Sequence, residues 1–302
     1  MHATAPQPDG VLLLDKPAGF SSTQALGRAK RFLEAGKAGH TGTLDPFATG
    51  LLPLVFGEAT KFARFLLDAR KAYVATLRLG VETTTGDTEG VEIARVPVSV
   101  DSLLIDEVLA SFVGVRDQVP PMHSAVRVQG KRLYQLARQG MEIERVARSI
   151  EILSLARERL EGDELVIRVA CTKGTYVRTL AVDLGRALGC GAFLTALRRT
   201  EVGPFRLEQA TTLEALQGAG TAAARERLLP LEVLVEGLPR RVCDAQEATR
   251  FTQGQTIAAG PAEGAEQAVF GPAGRFLGVA AAVGERLAPL RLLTTSGAAK
   301  AP

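Results

Sequence analysis

A chain of 302 residues, 46% of them apolar, can bury a full core and has room for two domains, one large and one small. A formal charge of +3 is too slight to mark a nucleic-acid binder by itself, so the placement of the cations has to carry that question. The three cysteines and three histidines are scattered without metal-ligand spacing, which argues against a zinc site and for a reducing compartment.

Residues 1–9 read as a loose tail. Val11 to Leu14 is a short buried strand between Asp9 and Asp15, too short for a signal peptide or a membrane span, and a soluble cytoplasmic protein is expected. The cluster Asp15-Lys16-Pro17-Ala18-Gly19 turns the chain. Ser22 can cap a helix that ends near Ala35. Its apolar stripe is Leu26, Ala29, Phe32 and Leu33, and Arg28, Lys30 and Arg31 form a basic face. Glu58 to Ala69 reads as a second helix with Phe62, Phe65 and Leu66 inward.

Lys71 to Leu79 alternates and is a strand, with Tyr73 near its start on the apolar face. Thr83 to Gly90 is a polar loop, and a helix over Asp101 to Val113 ends at Gly114. From 120 to 149 the chain becomes basic, with Arg127, Lys131, Arg132, Arg138, Arg145 and Arg148 and a short helix ending at Gly140. This is a surface excursion able to fold against phosphate.

Two strands, Ile150 to Leu155 and Leu165 to Cys171, meet at a turn over Glu161-Gly162-Asp163. The next helix carries the cleanest stripe in the chain: Val177, Leu180, Ala181, Leu184 and Leu188. Arg178 sits in its first turn, where the helix dipole disfavours a cation, so an anionic partner is expected. Phe193 to Val202 is a strand. A boundary falls near 230–240, and a helix around Glu247 to Phe251 with strands near 268–270, 276–281 and 287–293 makes a small, mostly β module.

The densest stretch is Gly39-His40-Thr41-Gly42-Thr43-Leu44-Asp45-Pro46-Phe47-Ala48-Thr49-Gly50-Leu51-Leu52, with three glycines and three threonines around one imidazole and one carboxylate. Asp45 before Pro46 is an ordinary way to cap a helix. The glycines and hydroxyls around it equally suit a carboxylate presented to a ligand. This stretch resembles the signature of the TruB family of pseudouridine synthases. Other segments are similar to the same family in the same order: Leu14-Asp15-Lys16-Pro17, Lys71-Ala72-Tyr73, Pro120 to Ala125 with Gly130 to Tyr134, and Cys171 to Arg178. Together they span roughly residues 10 to 205. His123 departs from the pattern, where tyrosine is more usual.

The resemblance implies an α+β fold, a mixed and mainly antiparallel sheet with flanking helices. The catalytic domain would span 10–235, with an RNA-gripping insert at about 120–149, and a PUA-like RNA-binding domain would occupy 240–302. It implies isomerisation of uridine 55 in the T loop of transfer RNA, without metal or other cofactor, by a monomer with no obligate protein partner and no membrane association. Asp45 would be the essential carboxylate, Arg178 its ion-pair partner holding its pKa down, and Tyr73 the ring that stacks on the flipped uracil and moves a proton. His40 would fill the vacated stack, Tyr176 and Leu197 would line the pocket, Lys16 would support the loop, and Lys131 and Arg132 would grip RNA. The rival reading is a non-catalytic RNA-binding or RNA-folding protein on the same scaffold, which the basic clusters fit equally well.

Overall fold

The computed structural model describes residues 7–294 other than 125–126, 129–130, 134–135, 137–138, 140, 142 and 261–263. The expected end of a short helix at Gly140 lies outside the described residues. A nine-stranded sheet forms the centre of the larger part. It contains β1 (Gly10–Lys16), β2 (Ala38–His40), β3 (Thr49–Phe56) and β4 (Lys71–Leu79). Between β4 and the next sheet strand, β5 (Val81–Thr83) and β6 (Glu92–Arg95) pair as a separate hairpin. The sheet continues with β7 (Gly114–Gln118), and the insert adds a further two-stranded pair, β8 (Arg127–Val128) and β9 (Lys131–Arg132). The long strands β10 (Arg148–Glu161), β11 (Glu164–Cys171) and β12 (Ala192–Val202), with the short β13 (Phe205–Arg206), complete it.

Along the sheet the order is β1-β3-β12-β4-β11-β10-β7, with β2 beside β3 and β13 beside β12. Every described pairing in it is antiparallel except β3 with β12, where Thr49 and Gly50 meet Arg198 and Arg199. That parallel contact lies where the Asp45 loop re-enters the sheet. Helices α1 (Ser22–Phe32), α2 (Arg64–Leu67), α3 (Ser102–Ser111), α4 (Val177–Ala187) and α5 (Leu213–Arg225) flank it. The main core draws on the alternating face of β4, with Tyr73, Ala75, Leu77 and Leu79, and on the α4 stripe of Val177, Leu180, Ala181 and Leu184.

Several local expectations change. The cap of α1 is Ser21, which forms a reciprocal box with Gln24, and Ser22 is freed for another task described below. The helix expected over 58–69 is a 3-10 turn at Gly57–Phe62 followed by the single turn of α2. Lys71, lying just beyond, donates its Nζ to Leu67 O (2.7 Å) and Ala69 O (2.6 Å) and ends the helix there. Helix α3 stops at Ser111, and Gly114 opens β7. The strand expected at 150–155 runs to Glu161, with bulges that let it bend.

The C-terminal part is a five-stranded sheet of β14 (Arg240–Val242), β15 (Ile257–Ala258), β16 (Glu266–Phe270), β17 (Phe276–Val283) and β18 (Arg286–Leu292) with helix α6 (Ala245–Thr252). It shares a core with the large sheet: Phe62, Leu66, Val202 and Phe205 pack in one cluster with Ala268, Phe276 and Val279.

Candidate active site

The loop between β2 and β3 is held by its neighbours at every turn. Thr41, fully buried, donates its N–H to Pro53 O (3.1 Å) and its hydroxyl to the same oxygen (3.3 Å). Ser22 Oγ accepts the Leu44 N–H at 2.8 Å and donates to Leu44 O at 3.1 Å, while the Leu44 side chain is buried in the core. The first residue of α1 therefore fixes the residue before Asp45 in both directions. No helix follows Asp45: its carbonyl accepts the Ala48 N–H at 3.1 Å in a turn, and β3 begins at Thr49. The helix-cap reading of Asp-Pro is thus overturned, and the carboxylate is left to project from a pinned loop.

Lys16 anchors the loop from below. It is 0% exposed and donates to Phe20 O (2.7 Å), Pro17 O (2.8 Å) and Pro46 O (3.4 Å), so it joins the turn after β1 to the residue following Asp45. Burial lowers its pKa to about 8, against the attraction of Asp45.

Arg178, the second residue of α4, is 4% exposed. Its Nε lies 2.9 Å from Asp45 Oδ2 and 3.5 Å from Asp87 Oδ2, and its Nη2 donates to His123 O at 2.7 Å. Two carboxylates offset a cation that the helix dipole disfavours. The start of α4 has no side-chain cap of its own. Gln118 at the end of β7 takes that place, accepting the Tyr176 N–H at 2.7 Å and donating to Tyr176 O at 3.1 Å. His123 meets Arg178 through its main-chain carbonyl, so this contact does not depend on which side chain stands there.

Asp45 keeps 34% of its side chain exposed, the open side of the site. Its pKa is raised: burial is the largest cause, Asp87 adds to it, and Arg178 and Lys16 oppose it. Arg178 pulls the Asp45 pKa down, as expected of its ion-pair partner, but desolvation with the charge of Asp87 leaves the net shift upward. Asp87, 2% exposed, also accepts the Thr85 hydroxyl and the Glu89 N–H. It was not singled out from sequence. The available signal was an acid inside a threonine-rich turn between Gly86 and Gly90.

Tyr73 is buried on β4 directly across from Arg199, and its phenol feels the charges of Arg199 and Asp45. Burial raises its pKa, and the Arg199 charge works the other way. Arg199 stands directly across from Tyr73 on β12, two residues beyond the buried Leu197. Asp45, Arg178, Tyr73 and Lys16 thus come together. Leu197 joins the same core as Tyr73, and Tyr176 precedes α4. His40, half-buried, ends β2 opposite Leu54. Lys131 and Arg132 form β9 in the insert, where only the main chain is described.

The likenesses to known proteins run along the whole chain. The family described as TruB family pseudouridylate synthase (N terminal domain) matches residues 30–177. Two further families, tRNA pseudouridylate synthase B C-terminal domain and Pseudouridine synthase II TruB, C-terminal, match 178–236 and 239–293. A tRNA pseudouridine synthase B of Aromatoleum aromaticum is 53% identical over 97% of this chain and 95% of its own. One of Burkholderia mallei is 53% identical over 95% of this chain and 97% of its own. Among solved structures, a Cbf5-Nop10-Gar1 complex superposes with a TM-score of 0.73 at 28% identity, covering 91% of this chain and 79% of that one. An H/ACA RNP bound to a substrate RNA containing 2'-deoxyuridine gives a TM-score of 0.72 at 25% identity, covering 97% and 92%. A carboxylate on a pinned loop, paired with a helix-start arginine in a chain so related throughout, leads to one assignment: the chain belongs to the TruB family of pseudouridine synthases.

Proposed function

We propose that this enzyme isomerises uridine 55 in the T loop of transfer RNA to pseudouridine, with Asp45 as the essential carboxylate. The relatives named tRNA pseudouridine synthase B support the substrate class. The observation that carries the chemistry is the Asp45–Arg178 pair at 2.9 Å, in which the acid is partly exposed and the base almost wholly buried. Arg178 aims the carboxylate, and the open side of the pair receives the extruded nucleotide. Flipping the base costs roughly a few kcal/mol of unstacking. His40 fills the space that the base leaves, and Tyr73, Leu197 and Tyr176 form the walls around the uracil.

Asp45, ionised, initiates cleavage of the N-glycosidic bond, and the base is rejoined through carbon with Tyr73 moving the final proton. Lys16 acts through the loop, holding Pro46 beside the reacting carboxylate. The insert, with Lys131 and Arg132, and a PUA-like C-terminal domain extend the RNA contact over the phosphates. The catalytic unit is residues 10–235 and the second unit 240–302, working as a cytoplasmic monomer without an obligate protein partner.

Tritium release from transfer RNA labelled at uracil C5, with binding measured alongside, tests this reading. Wild-type release, abolished in Asp45→Asn while affinity is kept, is the expected result. Binding without release by both proteins would reduce the chain to an RNA-binding role, and release from a position other than 55 would move the site.

A further inference from the structure

Arg199 heads the largest side chains wholly withdrawn from water, at 1% exposure, yet none of its described partners is a carboxylate. Its Nε donates to Leu51 O at 2.7 Å and its Nη2 to Gly42 O at 3.2 Å. Those two carbonyls stand on either side of Asp45 in the chain, so one guanidinium ties together both ends of the catalytic loop. The Arg199 main chain is locked there too, paired in parallel with Gly50 on β3. On the other side, its register partner on β4 is Tyr73, whose buried phenol feels the same guanidinium. Arg199 is therefore the side chain through which the loop of the carboxylate and the strand of the tyrosine are joined. A buried cation is costly unless compensated, and carbonyl dipoles compensate only part of a full charge. What remains is a fixed positive charge directed at a phenol.

We propose that Arg199 is a positioning residue for the isomerisation, fixing the Tyr73 hydroxyl relative to the Asp45 loop and stabilising the phenolate that Tyr73 must become to take a proton from carbon. This rests on the reading of Tyr73 as the proton-transfer group. Once the base is joined through C5, the C5–H bond must break and an N1–H bond must form. The Tyr73 phenol releases its proton to water. The phenolate takes the C5 proton, the electron pair of that bond returns to the uracil ring, and N1 takes a proton from water, so no charge or atom is gained or lost. Burial opposes the phenolate most, Cys171 and the Asp45 charge add to it, and the guanidinium of Arg199, with no carboxylate partner described, supplies the opposing field.

The test is single-turnover tritium release from C5-labelled transfer RNA, which reads the C5–H step, for Arg199→Gln and Arg199→Lys in both the Tyr73 and Tyr73→Phe backgrounds. Glutamine keeps a donor for the carbonyls and drops the charge; lysine keeps the charge. Arg199→Gln is expected to release tritium about 100-fold more slowly at neutral pH, with the loss shrinking as pH rises and with RNA affinity unchanged. Arg199→Lys keeps the wild-type pH profile. In the Tyr73→Phe background, Arg199→Gln adds less than about a twofold loss. A loss equal in both backgrounds and flat with pH would overturn the proposal and leave Arg199 a structural pin. Should Arg199→Gln fail to fold, a pH profile in Arg199→Lys shifted from the wild type would overturn it equally. If Tyr73→Phe alone releases tritium at the wild-type rate, the Tyr73 reading falls and this proposal with it, while the part of Asp45, read by its own variant, stands.

Discussion

The Nε of Arg178 stands 2.9 Å from Asp45 and 3.5 Å from Asp87, so two carboxylates share one buried guanidinium. The trio carries one negative charge in excess. That imbalance, together with burial, raises the pKa of Asp45. Burial and Asp87 thus resist the ionisation of Asp45, while Arg178 and Lys16 favour it.

Asp87→Asn should separate the two effects. Removing the Asp87 charge removes one of the causes that raise the Asp45 pKa, so the acid limb of the pH–rate profile moves to lower pH. Arg178 at the same time loses one of its two carboxylate partners. A displacement on the order of 1 Å costs about 100-fold in plateau rate. Single-turnover release between pH 5 and 8 checks both, and an acid limb that stays in place would contradict the charge argument.

The parts legible in the sequence were those governed by short-range pattern. Alternation over Lys71 to Leu79 gives β4, and the stripe from Val177 to Leu188 gives α4. The dipole argument led from Arg178 at a helix start to an acidic partner. Longer-range choices were hidden. Ser21 and Ser22 are both able to cap, and the deciding residue is Gln24, which closes the box with Ser21. The second carboxylate on Arg178 could not be read because Asp87 lies far from it in the chain and only the fold brings them together. Arg199 read as one polar residue of a strand, since alternation says which face a side chain takes and not whether that face is dry. The 3-10 turn at Gly57–Phe62 and the helix expected there share the same apolar spacing over so short a run.

Gly50 should tolerate no side chain. Its φ is +101°, and a Cβ there would lie 2.3 Å from Arg199 O and 2.7 Å from Arg199 N. The parallel contact of β3 with β12 would have to open just where the Asp45 loop ends. Gly50→Ala is expected to cost about 3 kcal/mol in denaturant unfolding and to lower turnover in whatever protein still folds. Wild-type stability and rate in that variant would mean that the two strands can part here at little cost.

Lys71 predicts an alkaline signature. Burial, assisted by the charge of Arg199, lowers its pKa from 10.5 to about 8. Between those values the unfolded chain binds a proton that the folded chain does not, so this lysine makes stability rise with pH. Below pH 8 both states are protonated and the cost of burying the charge is borne in full. Relative to Lys71→Met, the wild type should gain about 1.4 kcal/mol per pH unit above pH 8. Urea unfolding of both proteins at pH 7.5, 8.5 and 9.5 measures the difference, and a constant gap would show that the amine stays protonated in the fold.

The C-terminal sheet is fastened to the catalytic part by apolar packing. Phe276 meets Phe62 edge-on with ring centroids 5.3 Å apart and is itself buried. Polar ties flank that contact: Arg64 to Glu266 at 2.7 Å, and Lys61 to Leu292 O at 3.1 Å. Phe276→Ala should therefore cost about 3–5 kcal/mol, and removal of residues 240–302 should expose Phe62 and lower the melting temperature of what remains. A truncation that weakens RNA binding would on that account not distinguish a missing footprint from a damaged fold. The exposed Arg275 and Arg291 allow the distinction, because their side chains lie outside the shared core. In an Arg275→Gln, Arg291→Gln protein with unchanged melting, a phosphate footprint on this sheet would lower the salt slope of binding by about one for each phosphate no longer neutralised. An unchanged slope would assign the module a structural role, as the cover of Phe62.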